Sequence, residues 1–275
     1  MKTWFITGTS RGLGRAWTKA ALERGDRVAA TARNTDTLAD LAAQYGDSIL
    51  LLPLDVTDRA AGFAAVEAAH AHFGRLDVVV NNAGYGQFGA IEEVSEAQAR
   101  AQMETNFFGA LWVTQAALPL LRAQGRGHIL QVSSIGGLGA FPNIGLYHAS
   151  KWALEGFSEA LAQEVAALGI HVTLIEPGGF DTDWGGSSSA HATPLPAYDD
   201  LRAAQATRYS WAKRGNPSAT SAAIFAAVDA DKPPLRLLLG EFATEFVPRV
   251  YAERLQTWAE WGDVSRAVDG DAPAS

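Results

Sequence analysis

Thr3-Trp4-Phe5-Ile6-Thr7-Gly8-Thr9-Ser10-Arg11-Gly12-Leu13-Gly14 opens the chain with an apolar strand that runs directly into a glycine-rich turn. Glycines permit the tight turn and let a pyrophosphate approach the backbone. A helix opened by Gly12 and Gly14 then offers unsatisfied N–H groups and a partial positive charge. Working outward, strands are predicted near 2–7, 27–32, 48–54, 76–81, 127–133, 170–176 and 234–239. Between them lie helical patterns near 12–24, 35–45, 58–73, 96–122, 146–168 and 217–230, with Pro119 inside the fourth placed to end or bend it early. Apolar strands alternating with helices read as α/β: a single doubly wound parallel sheet of about seven strands with helices on both faces. Ligands in such sheets collect beyond the carboxyl ends of the strands.

Several polar groups fall at those ends. Asn81-Asn82-Ala83-Gly84 follows the fourth strand, Ser133-Ser134 the fifth, and Pro177-Gly178-Gly179 the sixth. Tyr147 and Lys151 stand four residues apart, so phenol and ammonium project from one face of a helix. A tyrosine titrates at roughly 10 when unperturbed, and a neighbouring cation draws it toward working pH, where it serves as general acid and base. Taken alone, Tyr-x-x-x-Lys is also what a solvated helix face produces by chance.

These pieces in this order resemble the short-chain dehydrogenase/reductase family, in its short single-domain branch. The resemblance spans about residues 3–240 and rests on Thr7-Gly8-x-x-x-Gly12-x-Gly14, Asp55, Asn82-Ala83-Gly84, Asn106, Ser134, Tyr147-x-x-x-Lys151 and Pro177-Gly178. It implies a Rossmann-type fold and reversible hydride transfer between a nicotinamide and a carbonyl or alcohol carbon. Tyr147 is then the proton donor or acceptor, and Lys151 lowers its pKa and holds the nicotinamide ribose. Ser134 orients the substrate oxygen, with Ser133 as its rival, and Asn106 supports a water in a proton relay. The resemblance also implies cofactor contacts from Gly8, Ser10, Arg11, Gly12, Leu13 and Gly14, and from Asp55 and Val56 at the adenine. Asn82, Ala83 and Gly84 would line the adenosine side, and Pro177, Gly178, Phe180 and Thr182 the nicotinamide. Transfer of the pro-S hydride is carried over as an expectation.

Charge argues for NADP(H). Where an NAD site usually carries an acid at the end of the second strand, this chain has Ala32 followed by Arg33, and Arg11 lies in the glycine turn. Two guanidiniums suit a 2′-phosphate through bidentate, charge-assisted bonds. The alternative is an exposed Arg33 with Asp36 on the ribose.

The remaining composition narrows the class. The 275 residues, 48% hydrophobic, can bury one large core, and no linker divides them. We therefore expect one oxidoreductase domain over 1–262, with a substrate lid at 184–216, a C-terminal helix at 242–260 and a flexible tail at 263–275. A net charge of −8 without a basic run argues against nucleic-acid and membrane partners. The absence of cysteine excludes disulfides and thiolate metal sites, and His70 and His72 point to different helical sectors, so no metal is expected. Met1-Lys2-Thr3 leads directly into the first strand, which predicts a cytoplasmic protein without a signal peptide. By family analogy a homodimer or homotetramer is expected, paired through the fourth and fifth helices.

Substrate identity is the least constrained reading. The segment 184–216 breaks the alternating pattern, contains Gly185-Gly186-Ser187-Ser188-Ser189, and reads as a mobile lid carrying Tyr198, Tyr209 and Trp211. Tyr85, Phe141, His148 and Trp184, with Phe88, Leu146 and Trp152, lie near the ends of the functional segments and form an expected apolar wall for an aromatic or alicyclic carbonyl. The competing class is a non-catalytic NADP-binding sensor or scaffold.

Overall fold

The computed structural model describes residues 1–186, 188–208 and 214–270. Seven strands form one parallel sheet: β1 (Thr3–Ile6), β2 (Arg27–Ala32), β3 (Ile49–Pro53), β4 (Val78–Asn81), β6 (Gly127–Val132), β7 (Ile170–Pro177) and β9 (Arg236–Leu239). Their spatial order is β3-β2-β1-β4-β6-β7-β9, doubly wound as expected. The order reverses between β1 and β4, where Ile6 stands beside Ala30 on one side and Val80 on the other. That switch point opens a crevice at the carboxyl edge.

Both faces of the sheet are covered, and alternation along β1 shows why. Trp4 and Ile6 point to the face covered by α1 (Gly12–Glu23), α2 (Ala39–Tyr45) and α8 (Thr220–Asp229), where they meet Trp17, Val28, Val80, Leu130 and Ile224. Phe5 points to the opposite face, against Val66 of α3 (Arg59–Phe73), Val113 and Leu121 of α5 (Gly109–Gln124) and Leu161 of α6 (Gly145–Val165). The buried indoles are satisfied: Trp4 Nε1 donates to Asp26 at 2.9 Å and Trp17 Nε1 to Thr220 at 2.7 Å.

Three regions depart from the sequence reading. The helix expected over 96–122 is interrupted upstream of Pro119. The short α4 (Glu96–Met103) passes into a π-helical turn over Glu104–Phe108 before α5 begins. Pro119 itself is carried inside α5. In the segment 184–216, the described residues include regular elements that the irregular pattern did not suggest. Its β8 (Ala190–His191) pairs in parallel with β5 (Gln87–Phe88), and α7 spans Asp199–Arg208. The buried carboxylate of Glu93 ties it down, accepting from Leu195 N–H and Arg202 at 2.6 Å each. Ser187, Tyr209 and Trp211 of the expected lid lie outside the described residues.

At the C-terminus, α9 (Glu241–Glu260) buries Ala243, Phe246 and Val247 against Ile135, Leu138 and Phe141. Leu255 and Trp258 on its distal half are exposed. The expected tail begins with α10 (Gly262–Arg266) and a further 3-10 turn to Asp269. Among the described residues no helix is long and apolar enough to cross a membrane.

Candidate active site

A cavity of about 920 Å³ follows the carboxyl edge of the sheet from Arg33 to Trp184. Its floor is the glycine turn. Asn82 Nδ2 donates to Thr7 O at 2.8 Å and Gly8 O at 3.0 Å, while Thr7 Oγ1 accepts from Asn82 N–H and Ala83 N–H at 2.9 Å each. Asn82 therefore fixes the turn while lining the cavity, as Ala83 and Gly84 also do. Gly8 has φ +69°, and a Cβ there would sit 2.9 Å from Ala83 Cα. A Cβ on Gly14 would strike Asn82 and lie 2.6 Å from Gly8 O, so Gly14 is a packing glycine beneath the cavity, and it does not line it.

The start of α1 faces this space through Ser10, Arg11, Gly12 and Leu13. No side chain caps that helix and no acid stands in its first turn. Its first N–H groups are available to an anion, which suits a dinucleotide pyrophosphate. At the β2 end, Arg33, Asp55 and Val56 line the wall. The Asp55 carboxyl is held below its ordinary range by the Thr57 N–H and hydroxyl, at 3.0 and 2.8 Å, with the Arg33 charge assisting. Arg11 does not stand clear of acids as the sequence suggested: Asp183 reaches back from beyond β7 and pairs with its Nη1 at 2.6 Å. Asp36 does not line the cavity.

Deeper in, Ser134, Tyr147 and Lys151 converge on one wall. Ser134 follows β6, and its Oγ accepts from Gly136 N–H at 3.0 Å, which fixes the turn 135–137 and sets the hydroxyl beside the phenol. Burial pushes the Tyr147 phenol up to about 12, with the Ser134 hydrogen bond opposing. Lys151 projects from the same face of α6 as Tyr147. Its Nζ donates to Val132 O at 2.7 Å and lies 5.8 Å from the Tyr147 ring centroid. A buried ammonium needs an acceptor and finds the backbone carbonyl, so the phenol remains raised rather than lowered. Burial in turn brings the lysine down to about 8, against the pull of Glu155.

Asn106 sits in the π turn and uses its whole side-chain amide on neighbours. Oδ1 accepts from Tyr85 N–H at 3.0 Å, while Nδ2 donates to Tyr85 O at 3.0 Å and Ser150 Oγ at 3.1 Å. It does not line the cavity, but a Cβ on Gly84 would lie 3.1 Å from its Oδ1 and 3.6 Å from Lys151 Nζ. The asparagine thus braces the wall segment 84–85 against α6.

The outer wall is aromatic. Trp184 packs edge-on to Tyr147 at 4.9 Å and to Phe88 at 5.5 Å, and Tyr85 completes this side. The indole lies over Gly86, where a Cβ would come within 2.7 Å of it.

These features coincide with a match of residues 2–193 to the short chain dehydrogenase family. The chain belongs to the short-chain dehydrogenase family. Oxidoreductase BOA17 of Botryotinia fuckeliana (strain B05.10) is 42% identical over 270 residues, covering 97% of this chain and 98% of its own. A short-chain dehydrogenase from Streptomyces avermitilis, solved by crystallography, is 40% identical and superimposes with a TM-score of 0.91, covering 98% of this chain and all of its own. An alcohol dehydrogenase from the archaeon Thermococcus sibiricus, solved with 5-hydroxy-NADP, is 26% identical with a TM-score of 0.73, covering 87% of this chain and 96% of its own.

Four expected wall residues of this short-chain dehydrogenase, Phe141, Leu146, His148 and Trp152, do not line the cavity. His148 is buried with both ring nitrogens engaged: Nε2 accepts from Phe141 N–H and Nδ1 faces Gly136 O, each at 2.9 Å. This fixes it as a neutral imidazole bracing the 136–141 loop, and burial lowers its pKa. Phe141 stacks on Phe246 of α9 at 5.0 Å, behind the loop. Trp152 is exposed under Arg254. Conversely, Thr105 and Arg214 line the cavity and were not singled out from sequence. Arg214 lay in what read as featureless lid, where only its charge could have marked it. At the nicotinamide end, Pro177, Gly178, Phe180 and Thr182 all reach the cavity, and this segment is held to Gly215 through Asp181 N–H at 2.8 Å.

Proposed function

We propose that this short-chain dehydrogenase is an NADP(H)-dependent reductase of apolar ketones or aldehydes, aromatic or alicyclic in character. The observation that carries the proposal is one continuous cavity bordered by an uncapped helix start, Arg33, and the Ser134–Tyr147–Lys151 group beneath an aromatic wall. The residues present suit a nicotinamide dinucleotide. Ser10 to Leu13 would take the pyrophosphate, Asp55 and Val56 the adenine, Arg33 the 2′-phosphate, and Tyr147 and Lys151 the nicotinamide ribose. Phe180 and Thr182 would take the carboxamide. Bound there, the cofactor supplies or accepts hydride.

The side chains of this enzyme do the rest. Ser134 holds the carbonyl oxygen beside the phenol. Tyr147, kept protonated by burial, donates to that oxygen as negative charge develops. Lys151, in its cationic form, stabilises the phenolate left behind. Trp184, Tyr85 and Phe88 exclude water from the reacting carbon and favour a flat apolar substrate. NADP is favoured by Arg33 after the small Ala32, and by the NADP analogue in the archaeal relative; the Arg11–Asp183 pair leaves Arg33 as the principal phosphate ligand. We further propose that copies pair through α5, the π turn before it and α6, where Phe107, Phe108, Trp112 and Phe157 form a half-buried aromatic group, which size-exclusion chromatography of Trp112→Glu would test by appearance of monomer.

The test of cofactor choice is Arg33→Asp. Preference should move toward NADH, read as the ratio of kcat/KM values; an unchanged ratio removes Arg33 from the phosphate site. The sensor reading is separated by single-turnover reduction, since a sensor binds NADPH without consuming it.

A further inference from the structure

One face of α6 carries more than the two residues so far discussed. Tyr147, Lys151, Glu155 and Glu159 follow at intervals of four, so the side chains stack along one stripe that runs from the cavity to the surface. Glu155 is 5% exposed and Glu176, at the carboxyl end of β7, is fully buried. Among the described residues no N–H or O–H group donates to either oxygen of Glu176, and the buried Glu155 carboxyl approaches the same guanidinium, that of Arg236. Two buried carboxyls facing one guanidinium avoid mutual repulsion when one of them keeps its proton.

The surroundings set the charge of the pair. Arg236 of β9 is shared among three carboxyls: its Nε lies 3.1 Å from Glu155 and 3.5 Å from Glu176, and its Nη2 lies 2.8 Å from Glu159. One guanidinium cannot neutralise them all, and burial pushes both inner carboxyls upward, Glu176 to about 8. The charged groups facing Glu155 are thus Lys151 on its own helix, Glu176 on β7 and Arg236 on β9. The turn 135–137 brings no titratable group, and presents Ser133 Oγ and Glu155 Oε1 at 2.7 and 3.1 Å from where a Cβ on Gly137 would be. Ser133 Oγ and Glu155 Oε1 thus flank this turn, each without a hydrogen-bond partner among the described residues.

We propose that Glu155 and Glu176 share a single proton behind Lys151, and that the one negative charge they retain keeps Lys151 cationic during turnover, making Glu155 a positioning residue that acts through the lysine. The inference rests on the reductase reading for its kinetic consequence, but not for its charge state. Burial drives the ammonium toward neutrality, and the retained carboxylate is the group that opposes it. Without that charge the lysine loses its proton at lower pH, and phenolate formation at Tyr147 loses its counter-charge.

The test is a pH titration of the side-chain nitrogens of the full chain labelled with ¹⁵N-lysine, which contains five lysines, with Lys151 assigned from Lys151→Arg. Glu176→Gln alone leaves the charge on Glu155, so the Lys151 titration should stay near its native value. The double variant Glu155→Gln/Glu176→Gln removes the charge and should lower the titration by about one pH unit or more. Glu155→Asp/Glu176→Gln, which retains a carboxylate, should restore most of it. A titration within a few tenths of native in the double variant, with its fold intact by circular dichroism, overturns the inference. In parallel, the alkaline limb of NADPH-dependent carbonyl reduction should move down with the lysine. A shifted lysine titration without turnover by the native chain supports the charge pair and counts against the reductase reading alone.

Discussion

In the proposed reaction Tyr147 carries the chemistry, and its surroundings decide in which protonation state. It is buried beside Ser134 under Trp184, so its phenol holds its proton up to about 12. That suits a donor to a carbonyl. Tyr147→Phe should cut kcat by about 10² to 10⁴ while NADPH binding, followed by fluorescence, changes little; loss of binding instead would mean a structural role. Lys151 gives the pH dependence. Its ammonium persists below about 8, so reduction should hold on the acid side and decline as pH rises through that value, well before Tyr147 titrates. A rate that stays level to pH 10 would remove the lysine charge from the mechanism. That Ser134, Tyr147 and Lys151 would stand on one wall was legible in the sequence, because a strand end places the serine and four-residue spacing puts the other two on one helical face. The acceptor that holds Lys151, the Val132 carbonyl, was not legible, because a backbone group has no residue type. Nor was the placement of Phe141 and His148. Nearness to Tyr147 in sequence does not say that the loop folds back and takes both imidazole nitrogens.

Among the elements, the glycine turn is limited by packing from below as much as by a ligand from above. Gly14→Ala would drive a Cβ into Asn82 and the Gly8 carbonyl. We expect it to cost about 1–3 kcal/mol in denaturant unfolding and to weaken NADPH binding; wild-type stability would show that the turn can shift. β7 makes a second prediction through Glu176. Its carboxyl is raised from its ordinary value of 4.5 to about 8, so between those values the folded state binds more protons than the unfolded chain. Stability from this group is therefore lost as pH rises from about 4.5 to about 8. Glu176→Gln should flatten that decline in Tm across the window, and an unchanged slope would mean that Glu176 ionises freely. The seven strands of the main sheet were read to within about two residues because their apolar runs are short and end in turns, whereas the short β5 and β8 carry no such run. The break over Glu104–Phe108 was not, since a π turn inserts a residue without changing composition, while Pro119, which attracted attention, sits inside α5.

Across the whole molecule, the two faces of the sheet make the fold and the carboxyl edge makes the site. The C-terminal helix joins them, because Phe246 packs behind the loop that carries Ser134 and its turn. Phe246→Ala should cost about 3 kcal/mol and raise KM for the carbonyl, because the loop it supports is the one proposed to orient the substrate oxygen; a loss of stability with KM unchanged would confine α9 to a structural role. The organisation of 184–216 was hidden because its ties are long-range. Glu93, a hundred residues earlier, holds Leu195 and Arg202, and no local pattern announces such a bond. The central claim is that these parts together make a carbonyl reductase using NADPH. The most direct measurement is oxidation of NADPH and of NADH against a panel of aliphatic, aromatic, alicyclic and steroid-like ketones and aldehydes, with Tyr147→Phe beside the native chain. The account predicts turnover of apolar cyclic carbonyls, faster with NADPH and lost in the variant. Tight NADPH binding with no turnover of any carbonyl, or turnover that survives Tyr147→Phe, would contradict it.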